Sequence, residues 1–227
     1  MDSGAGIKAW RRMSAYERGA LWAMDLMGHV ATPVVPQVAA IFGEVRHDAA
    51  EQLATAMGLS DAEAVRWRFA AGRRCFVAWV DGAIAAYGWV SQGMEYIGEL
   101  ERPLRLRAGE AYIWDCATLP PYRRQGLYRA LLGHIAIRLR GEGMQRLWIG
   151  ASLGNQPSIR GFRAAGFMPV VRVISVRLGS LCCLWLAGYS ATPDSLIADA
   201  RRALIAPGEC VWGKLAIGLV KQVAGGR

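Results

Sequence analysis

The sequence predicts an α/β fold, in which helices flank a β-sheet. Its 227 residues are 53% hydrophobic and 20% charged, a composition that supports a substantial packed core and excludes a disordered or collagen-like chain. Two short apolar runs joined by Asp81–Gly82 predict a β-hairpin, and a later apolar run leads through two prolines into an amphipathic helical pattern. Strands and helices mixed in this way are typical of an α/β domain.

The N-terminal residues carry a helix-start signal. Ser14 and Glu17 have the spacing of a capping box, in which two side chains satisfy the backbone donors of a first helical turn. The sequence therefore predicts a helix from Ala15 to Gly28. The apolar run Val38–Val45 predicts the first strand.

Two further helices are predicted before the hairpin. Asp48–Met57 is followed by a glycine, and Ser60 with Glu63 forms a second capping box that predicts a helix over Asp61–Ala71. Residues 1–72 are thus expected to be mainly helical and to pack on the core.

The central part begins with the hairpin. Cys75–Val80 and Ala83–Ser91 are apolar runs on either side of Asp81–Gly82, which suits a type I′ turn because both central residues need positive φ. Gln92–Gly109 is polar and charged, and it predicts a loop or an irregular strand pair. Ala111–Thr118 predicts the next strand, in the centre of the sheet.

A basic turn follows that strand and precedes a helix. The first turn of a helix offers backbone N–H groups without internal partners at the positive end of the dipole. Gly126 lets a ligand approach the main chain closely, and Arg123, Arg124 and Arg129 supply charge for phosphates. The segment predicts a pyrophosphate site; the alternative is an ordinary helix start with solvated arginines.

A second motif follows the predicted strand Arg146–Ala151. Asn155 suits the N-cap of a helix, Pro157 suits its first turn, and Gly166 suits its C-cap. The local residues therefore predict a short helix independently of any relative.

Together, the two motifs resemble the GNAT superfamily of acyl-CoA-dependent N-acyltransferases, over the stretch Cys75–Leu178. The basic turn is similar to the coenzyme A signature of that family: Gln or Arg, two residues, Gly, one residue, then Gly or Ala. Arg123 and Gly126 match this pattern, whereas Tyr128 occupies the last small position.

The second motif also agrees with the family in its spacing. An Asn opens the helix, an aromatic residue lies two turns on, and Gly-Phe closes it, as Asn155, Phe162 and Gly166 do here. In the family the aromatic residue is often a Tyr whose hydroxyl can protonate the departing thiolate, a role that cannot be transferred to Phe162. Tyr122, Tyr128 or a water could substitute.

The resemblance implies a mixed, mainly antiparallel central sheet, with residues 73–190 as the acyltransferase core and an extra helical N-terminal segment. It also implies acetyl-CoA as co-substrate. The residues expected to bind it lie on the central strand, the basic turn and the second helix: Cys116, Ala117, Thr118, Arg123, Arg124, Gln125, Gly126, Leu127, Tyr128, Arg129, Asn155, Ser158 and Phe162.

The resemblance further implies direct attack of an amine on the thioester, so a base must take the amine proton. Glu110, Tyr112 and Asp115 are the candidates on the central strand. Strict alternation puts Asp115 on the face opposite the other two, but a bulge, which the family commonly has here, would swap the faces. Each carboxylate could instead be satisfied at a strand end or in an ion pair. Cys116 lacks an evident histidine partner and is not expected to be a nucleophile.

The C-terminal region carries no motif. Val170–Val176 and Leu181–Leu186 predict two strands, and Pro193–Ala206 predicts a helix. Trp212–Val223 predicts a further helix, so residues 191–227 are expected to be a helical extension. Acceptor recognition is expected to fall to the parts outside the shared core.

Composition narrows the partners. The net charge of +9 attracts anions, but the arginines are scattered, so no nucleic acid is expected. The odd number of cysteines, without a Cys-x-x-Cys pair, predicts reduced thiols in the cytoplasm. No apolar run is long enough for a membrane span, and the three histidines show no metal-ligand spacing.

Three functions therefore compete. The first is N-acetyl transfer to a small-molecule amine. The second is transfer from a longer acyl-CoA or from an acidic acyl carrier protein, which the positive charge would suit. The third is a non-catalytic binding module, motivated by Tyr128 and Phe162. A homodimer is compatible with all three.

Overall fold

A computed structural model of the protein describes residues 14–28, 35–100, 102–178 and 181–219. Ten strands form one sheet in the order β11-β12-β10-β9-β1-β8-β7-β4-β3-β2, and β5 pairs with β6 in a small second sheet. The strands are β1 (Ser14–Asp25), β2 (Ile41–Val45), β3 (Arg74–Val80), β4 (Ala83–Gln92), β5 (Met94–Ile97), β6 (Arg102–Arg105), β7 (Glu110–Thr118), β8 (Arg146–Ser152), β9 (Met168–Leu178), β10 (Leu181–Gly188), β11 (Cys210–Trp212) and β12 (Leu215–Leu219). The helices are α1 (Ala50–Met57), α2 (Glu63–Ala70), α3 (Leu127–Gly141), α4 (Gln156–Ala164) and α5 (Asp194–Leu204).

The first described element corrects the sequence prediction. The helix expected from Ala15 to Gly28 is the strand β1, which lies between β8 and β9 and pairs antiparallel with both. Residues 20–24 are buried almost completely, as expected for a central strand whose sheet is covered on both faces. An apolar run buried on both faces has no period of two, so its pattern does not distinguish a strand from a helix.

The other N-terminal predictions are confirmed with shifted ends. The strand predicted in Val38–Val45 is β2, and the two following helices are α1 and α2. The second capping box does not form as predicted, because the backbone N–H of Glu63 donates to the Asp61 carboxylate at 2.9 Å.

The hairpin and the polar segment after it agree with the sequence. Asp81 and Gly82 both have positive φ, at 50° and 79°, as a type I′ turn requires. The segment Gln92–Gly109 contains the strand pair β5–β6.

The C-terminal helix predicted from Trp212 is wrong within the described residues. Residues 210–219 form β11 and β12, which extend the sheet beyond β10. The helix predicted over Pro193–Ala206 is confirmed as α5. Within the described parts of the chain, the helices are too short or too polar to cross a membrane.

Three apolar clusters place the helices on the sheet. Helices α3 and α4 cover one face around Trp22 and Phe162. Helix α5 covers the other face, where Tyr112 and Trp148 are buried. Helices α1 and α2 pack against β3 and β4 around Trp89.

The parallel strands β7 and β8 separate partway along their length. Their pairing covers Glu110–Ile113 and Arg146–Ile149, and the remainders of the two strands diverge. A bulge in β7 follows directly, since Asp115 has a φ of 43° and the register with β4 shifts at this point. The sheet therefore opens in its centre, next to the segment expected to bind the cofactor.

A partly buried ion pair links β5 to Arg73, the residue directly before β3. The Glu95 carboxylate, which is 4% exposed, accepts from Arg73 Nε at 2.7 Å and Nη2 at 2.8 Å, and also from Ser91 Oγ. Burial raises the pKa of Glu95, but the hydrogen bonds from Arg73, Ser91 and the Tyr96 backbone outweigh burial and leave the pKa below its ordinary value. The ion pair therefore stabilises the folded protein at neutral pH.

We expect Glu95→Gln to lower the free energy of unfolding by about 3 kcal/mol at pH 7, because it leaves the partly buried Arg73 guanidinium without its carboxylate partner. The pKa of Glu95 is lower in the folded protein than in the unfolded chain. Its contribution to stability is therefore fully present above the ordinary pKa of 4.5 and is lost as the pH falls through the lower pKa of the folded state. Urea unfolding at pH 7 and at acidic pH measures the difference, with the exposed Glu63→Gln as control. Equal stability of Glu95→Gln and wild type at pH 7 would contradict the assignment.

Candidate functional site

The basic turn forms the start of helix α3. Gly126 is the N-cap and has a φ of 80°, and Arg124 before it also has a positive φ, at 63°. This backbone directs the first amides of a fifteen-residue helix toward one point. The local geometry suits an anion, as the sequence predicts.

The residues around this turn leave room for a polar ligand. Arg123 Nε donates to the Thr118 carbonyl at 3.2 Å, and Arg124 and Arg129 are exposed. Thr118 Oγ1 and Gln125 Oε1 are buried and, among the described residues, have no hydrogen-bond partner. Buried polar atoms without partners are uncommon in folded proteins, and a bound ligand satisfies such atoms. The turn therefore fits the phosphates and amides of a coenzyme A molecule.

A preceding segment packs over the turn. The backbone N–H of Gln37 donates to the Gln125 carbonyl at 2.8 Å, and a side chain at Gly126 would approach Pro36 Cα at 3.5 Å. The carbonyl of Gln125 is thus satisfied within the protein.

The strand residues expected to contact the pantetheine arm follow the bulge. Cys116, Ala117 and Thr118 are half-buried at the end of β7, where it has diverged from β8. Burial, and to a lesser degree Asp115, raises the pKa of the Cys116 thiol far above its ordinary value. Cys116 is therefore a neutral thiol and a poor nucleophile.

The second motif forms helix α4 as the sequence predicts. Asn155 Oδ1 accepts a hydrogen bond from the Ser158 backbone at 3.2 Å, which is the expected N-cap. Phe162 is 1% exposed and packs on Trp22, with ring centroids 6.0 Å apart. It therefore contributes to the core that carries the site.

Tyr128 packs between the two helices. Its ring stacks on Phe162 at 6.4 Å, and burial raises the pKa of its hydroxyl strongly, while a hydrogen bond with Ser158 partly opposes that shift. Gly161 provides the space for the ring, since a Cβ there would lie 2.5 Å from Tyr128 Cδ1. The departure of Tyr128 from the family signature is thus matched by a glycine on the facing helix.

We expect Gly161→Ala to destabilise the protein by about 1 to 3 kcal/mol, because the added methyl group overlaps the Tyr128 ring. Elsewhere in a helix the same change stabilises by up to about 1 kcal/mol. Urea unfolding of the single variant and of Gly161→Ala with Tyr128→Ala measures the coupling, and the second change should relieve the clash. A single variant that is more stable than wild type would contradict this packing.

A cavity of about 750 Å³ lies where β7 and β8 diverge. Of the three catalytic candidates, Tyr112 and Asp115 line it and Glu110 does not. Its walls come from β1, β5, β7, β8, β9, helices α2 and α5, and the segment after β5. The lining residues are Arg18, Gly19, Ala20, Leu21, Arg68, Tyr96, Ile97, Gly98, Glu99, Leu100, Tyr112, Trp114, Asp115, Gly150, Ala151, Ser152, Val173 and Leu204.

Asp115 reaches the cavity because of the bulge. Its carboxylate accepts from Arg68 Nη1 at 2.5 Å, and the two side chains are 34% and 20% exposed. The Arg68 guanidinium also lies over the rings of Trp89 and Trp114, 5.0 and 4.7 Å from their centroids. A charged pair is therefore held in a fixed position on the cavity wall.

Glu110 lies at the start of β7, at the paired end of the strand. It is 6% exposed and accepts from the Arg107 backbone at 2.9 Å and from Arg146 and Arg202, each at 3.1 Å. Because Arg202 lies on α5, these contacts hold helix α5 against the sheet.

Tyr112 is buried beside the cavity. Burial first, and then the charge of Glu99, raises the pKa of its hydroxyl well above the ordinary value. The hydroxyl stays protonated near neutral pH and can act as a hydrogen-bond donor.

Three charged cavity residues, Arg18, Arg68 and Glu99, were not predicted as site residues from the sequence. Arg68 lies on helix α2, far along the chain from β7, and Glu99 lies in a segment that reads as a polar loop. Neither position carries a local motif. Among the described residues, no group of three His, Cys, Asp or Glu side chains could hold a metal ion.

Comparisons with known proteins agree with this architecture. The sequence model described as the acetyltransferase (GNAT) family matches residues 44–167. The ribosomal protein bS18-alanine N-acetyltransferase of Escherichia coli strain K12 is 38% identical over 58 residues, which are 26% of this chain and 39% of that protein. The chain thus matches about two-fifths of the length of its curated relatives.

Two solved structures share the fold over most of the chain. A GCN5-related N-acetyltransferase from Sphaerobacter thermophilus is 16% identical with a TM-score of 0.53, over 78% of this chain and 58% of that one. A tandem GNAT protein from the clavulanic acid biosynthesis pathway is 20% identical with a TM-score of 0.51, over 85% of this chain and 61% of that one. Because the family model covers more than half of the residues, the chain belongs to the GNAT acetyltransferase family.

Proposed function

We propose that the protein transfers the acetyl group of acetyl-CoA to an amine of a small molecule. One observation carries the proposal: the divergent ends of β7 and β8 join an anion-binding turn to a cavity with a carboxylate at its wall. A donor molecule that follows β7 from Gly126 would bring its thioester to Asp115. The five cysteines, all in described residues, are free thiols, which supports a reducing cytoplasmic setting.

The donor side is assigned to backbone groups and a few side chains. The first amides of α3 hold the pyrophosphate, with charge from Arg124 and Arg129. The end of β7 at Cys116–Thr118 hydrogen-bonds the pantetheine arm through its main chain. In this assignment, Thr118 Oγ1 donates or accepts a hydrogen bond and Gln125 Oε1 accepts one from such a ligand.

The chemical step requires a neutral amine. Asp115, directly or through one water, takes the proton, and the nitrogen lone pair forms a bond to the carbonyl carbon of the thioester. The carbon–sulfur bond breaks, and the sulfur leaves with its electron pair and takes up a proton. A thiol with a pKa near about 8.5 is a tolerable leaving group, so the reaction does not depend on a hydroxyl at Phe162. Most of the rate enhancement then comes from positioning the two reactants.

The cavity is assigned to the acceptor. It is enclosed by Tyr96–Leu100 on one side and by Leu204 of α5 on another, which favours a small molecule over a folded protein surface. Gly150 lines the cavity next to Tyr112, and a Cβ at Gly150 would lie 3.4 Å from the Tyr112 hydroxyl.

A larger side chain at Gly150, which lines the cavity, tests this assignment. We expect Gly150→Val to lower kcat/KM for an amine about tenfold while leaving acetyl-CoA binding unchanged, because the added methyl groups occupy acceptor space. Thiol release measures turnover and calorimetry measures donor binding, with Gly150→Ala as the intermediate step. Loss of acetyl-CoA binding with retained amine affinity would place the donor in the cavity instead.

A further inference from the structure

Arg68 is a charged side chain that neither the donor nor the chemical step uses. It projects from α2 into the cavity, its side chain is 20% exposed, and it contacts the rings of Trp89 and Trp114. Stacking on aromatic rings fixes the plane of a guanidinium, whose edge presents hydrogen-bond donors in the geometry of a carboxylate. An oriented guanidinium on the wall of a small-molecule cavity is a recognition group for an anion.

The position of Arg68 limits where that anion lies. Its Nη1 donates to Asp115, which stands two residues beyond Ile113, the last residue of β7 paired with β8. The guanidinium is therefore adjacent to the point where the acyl group and the attacking amine meet. An acceptor held by Arg68 must carry its negative group close to its amine.

The pair of charges complements a zwitterion. Asp115 offers a negative group to an ammonium, and Arg68 beside it offers a positive group to a carboxylate. An α-amino acid carries both groups on one carbon, in the same close arrangement.

The rest of the cavity indicates the side chain of that acceptor. Away from the charged pair, most of the wall is formed by apolar and aromatic residues, among them Tyr96, Leu100, Val173 and Leu204, and Arg18 and Glu99 also line it. The apolar part of the wall stabilises an apolar or aromatic group.

We propose that the acceptor is an α-amino acid with an apolar or aromatic side chain, and that Arg68 binds its carboxylate. This inference depends on the proposed function, since it names the acceptor of the same reaction. The α-ammonium group loses one proton to become a neutral amine, and its nitrogen then bonds to the acetyl carbonyl carbon. As the carbon–sulfur bond breaks, the nitrogen loses a second proton and the departing sulfur takes up a proton, so the products are the N-acetyl amino acid and free coenzyme A.

Two probes that differ only in the carboxylate test the inference. L-phenylalanine and 2-phenylethylamine share the amine and the ring, and thiol release gives kcat/KM for each. Wild type should prefer phenylalanine about tenfold or more, the effect expected of a charge-assisted hydrogen bond. Arg68→Gln should abolish this preference, so that the ratio of the two kcat/KM values within the variant falls to about one because KM for phenylalanine rises.

Matched variants separate recognition from folding. Arg66→Gln changes an arginine on the same helix that is 56% exposed, and it should retain the preference. Arg68→Lys keeps the positive charge but lacks the paired N–H donors of the guanidinium, so it should give an intermediate KM for phenylalanine. The melting temperature and the calorimetric affinity for acetyl-CoA identify a variant that has unfolded. If a variant has unfolded, the comparison of the two substrates in the wild-type protein decides whether the inference holds.

Equal or better turnover of phenylethylamine by wild type would overturn the inference and leave the proposed function intact. If neither probe is acetylated, the acceptor class named here is wrong. Calorimetric binding of acetyl-CoA, with acetylation of other amines, then decides separately whether the proposed function stands.

Discussion

Gly126→Asp should lower the affinity of the protein for acetyl-CoA by about a hundredfold or more. The residue has a φ of 80° and caps helix α3. Aspartate tolerates this left-handed region better than most residues. The substitution would therefore preserve the helix while its negative charge occupies the site of the pyrophosphate. Calorimetric titration with acetyl-CoA measures the loss.

Two controls isolate the charge. Gly126→Asn has nearly the same shape and the same tolerance of positive φ without the charge, so it should bind acetyl-CoA more tightly than the aspartate variant. Gly143→Asp places a carboxylate at another glycine with positive φ, 87°, where nothing lies within 4 Å, and it should leave binding unchanged. Wild-type affinity in Gly126→Asp would show that the turn does not hold the donor.

Asp115→Asn should lower kcat by about 10² to 10⁴ without weakening acetyl-CoA binding. The amide keeps the size of the side chain and an oxygen for Arg68, but it cannot take the proton of the amine. Thiol release at saturating amine measures kcat, and calorimetry measures donor affinity.

Glu110→Gln is the matched control for that substitution. Glu110 is held by Arg146 and Arg202 at the paired end of β7, so its loss should reduce stability and change kcat by only a few fold. The opposite pattern, a large fall in kcat for Glu110→Gln and none for Asp115→Asn, would contradict the assignment of the base.

The parts of the fold that were predicted correctly have short-range signals. Asp81–Gly82 fixes a hairpin through its backbone conformation, and Asn155 caps α4 through a hydrogen bond three residues away. By contrast, the placement of β1 between β8 and β9 depends on backbone partners more than 100 residues away. The local capping pattern at Ser14 and Glu17 contains no information about those partners, and the helix prediction was wrong.

The same distinction applies to the site. The turn proposed to bind the donor's phosphates lies in one continuous segment, so its residues could be named from the sequence. Which of Asp115 and Glu110 faces the site depends on whether β7 contains a bulge. The family resemblance suggested a bulge, and the backbone at Asp115 confirms it. Arg68 contributes through a contact 47 residues along the chain, so its position follows only from the packing of α2 on the sheet.

A crystal structure of the protein with acetyl-CoA is the most direct test of the account. We expect the pyrophosphate at the amides that follow Gly126, the pantetheine arm along Cys116–Thr118 between the divergent strands, and the acetyl group at the cavity beside Asp115. A donor bound with its thioester outside that cavity, or with its phosphates away from α3, would contradict the central claim.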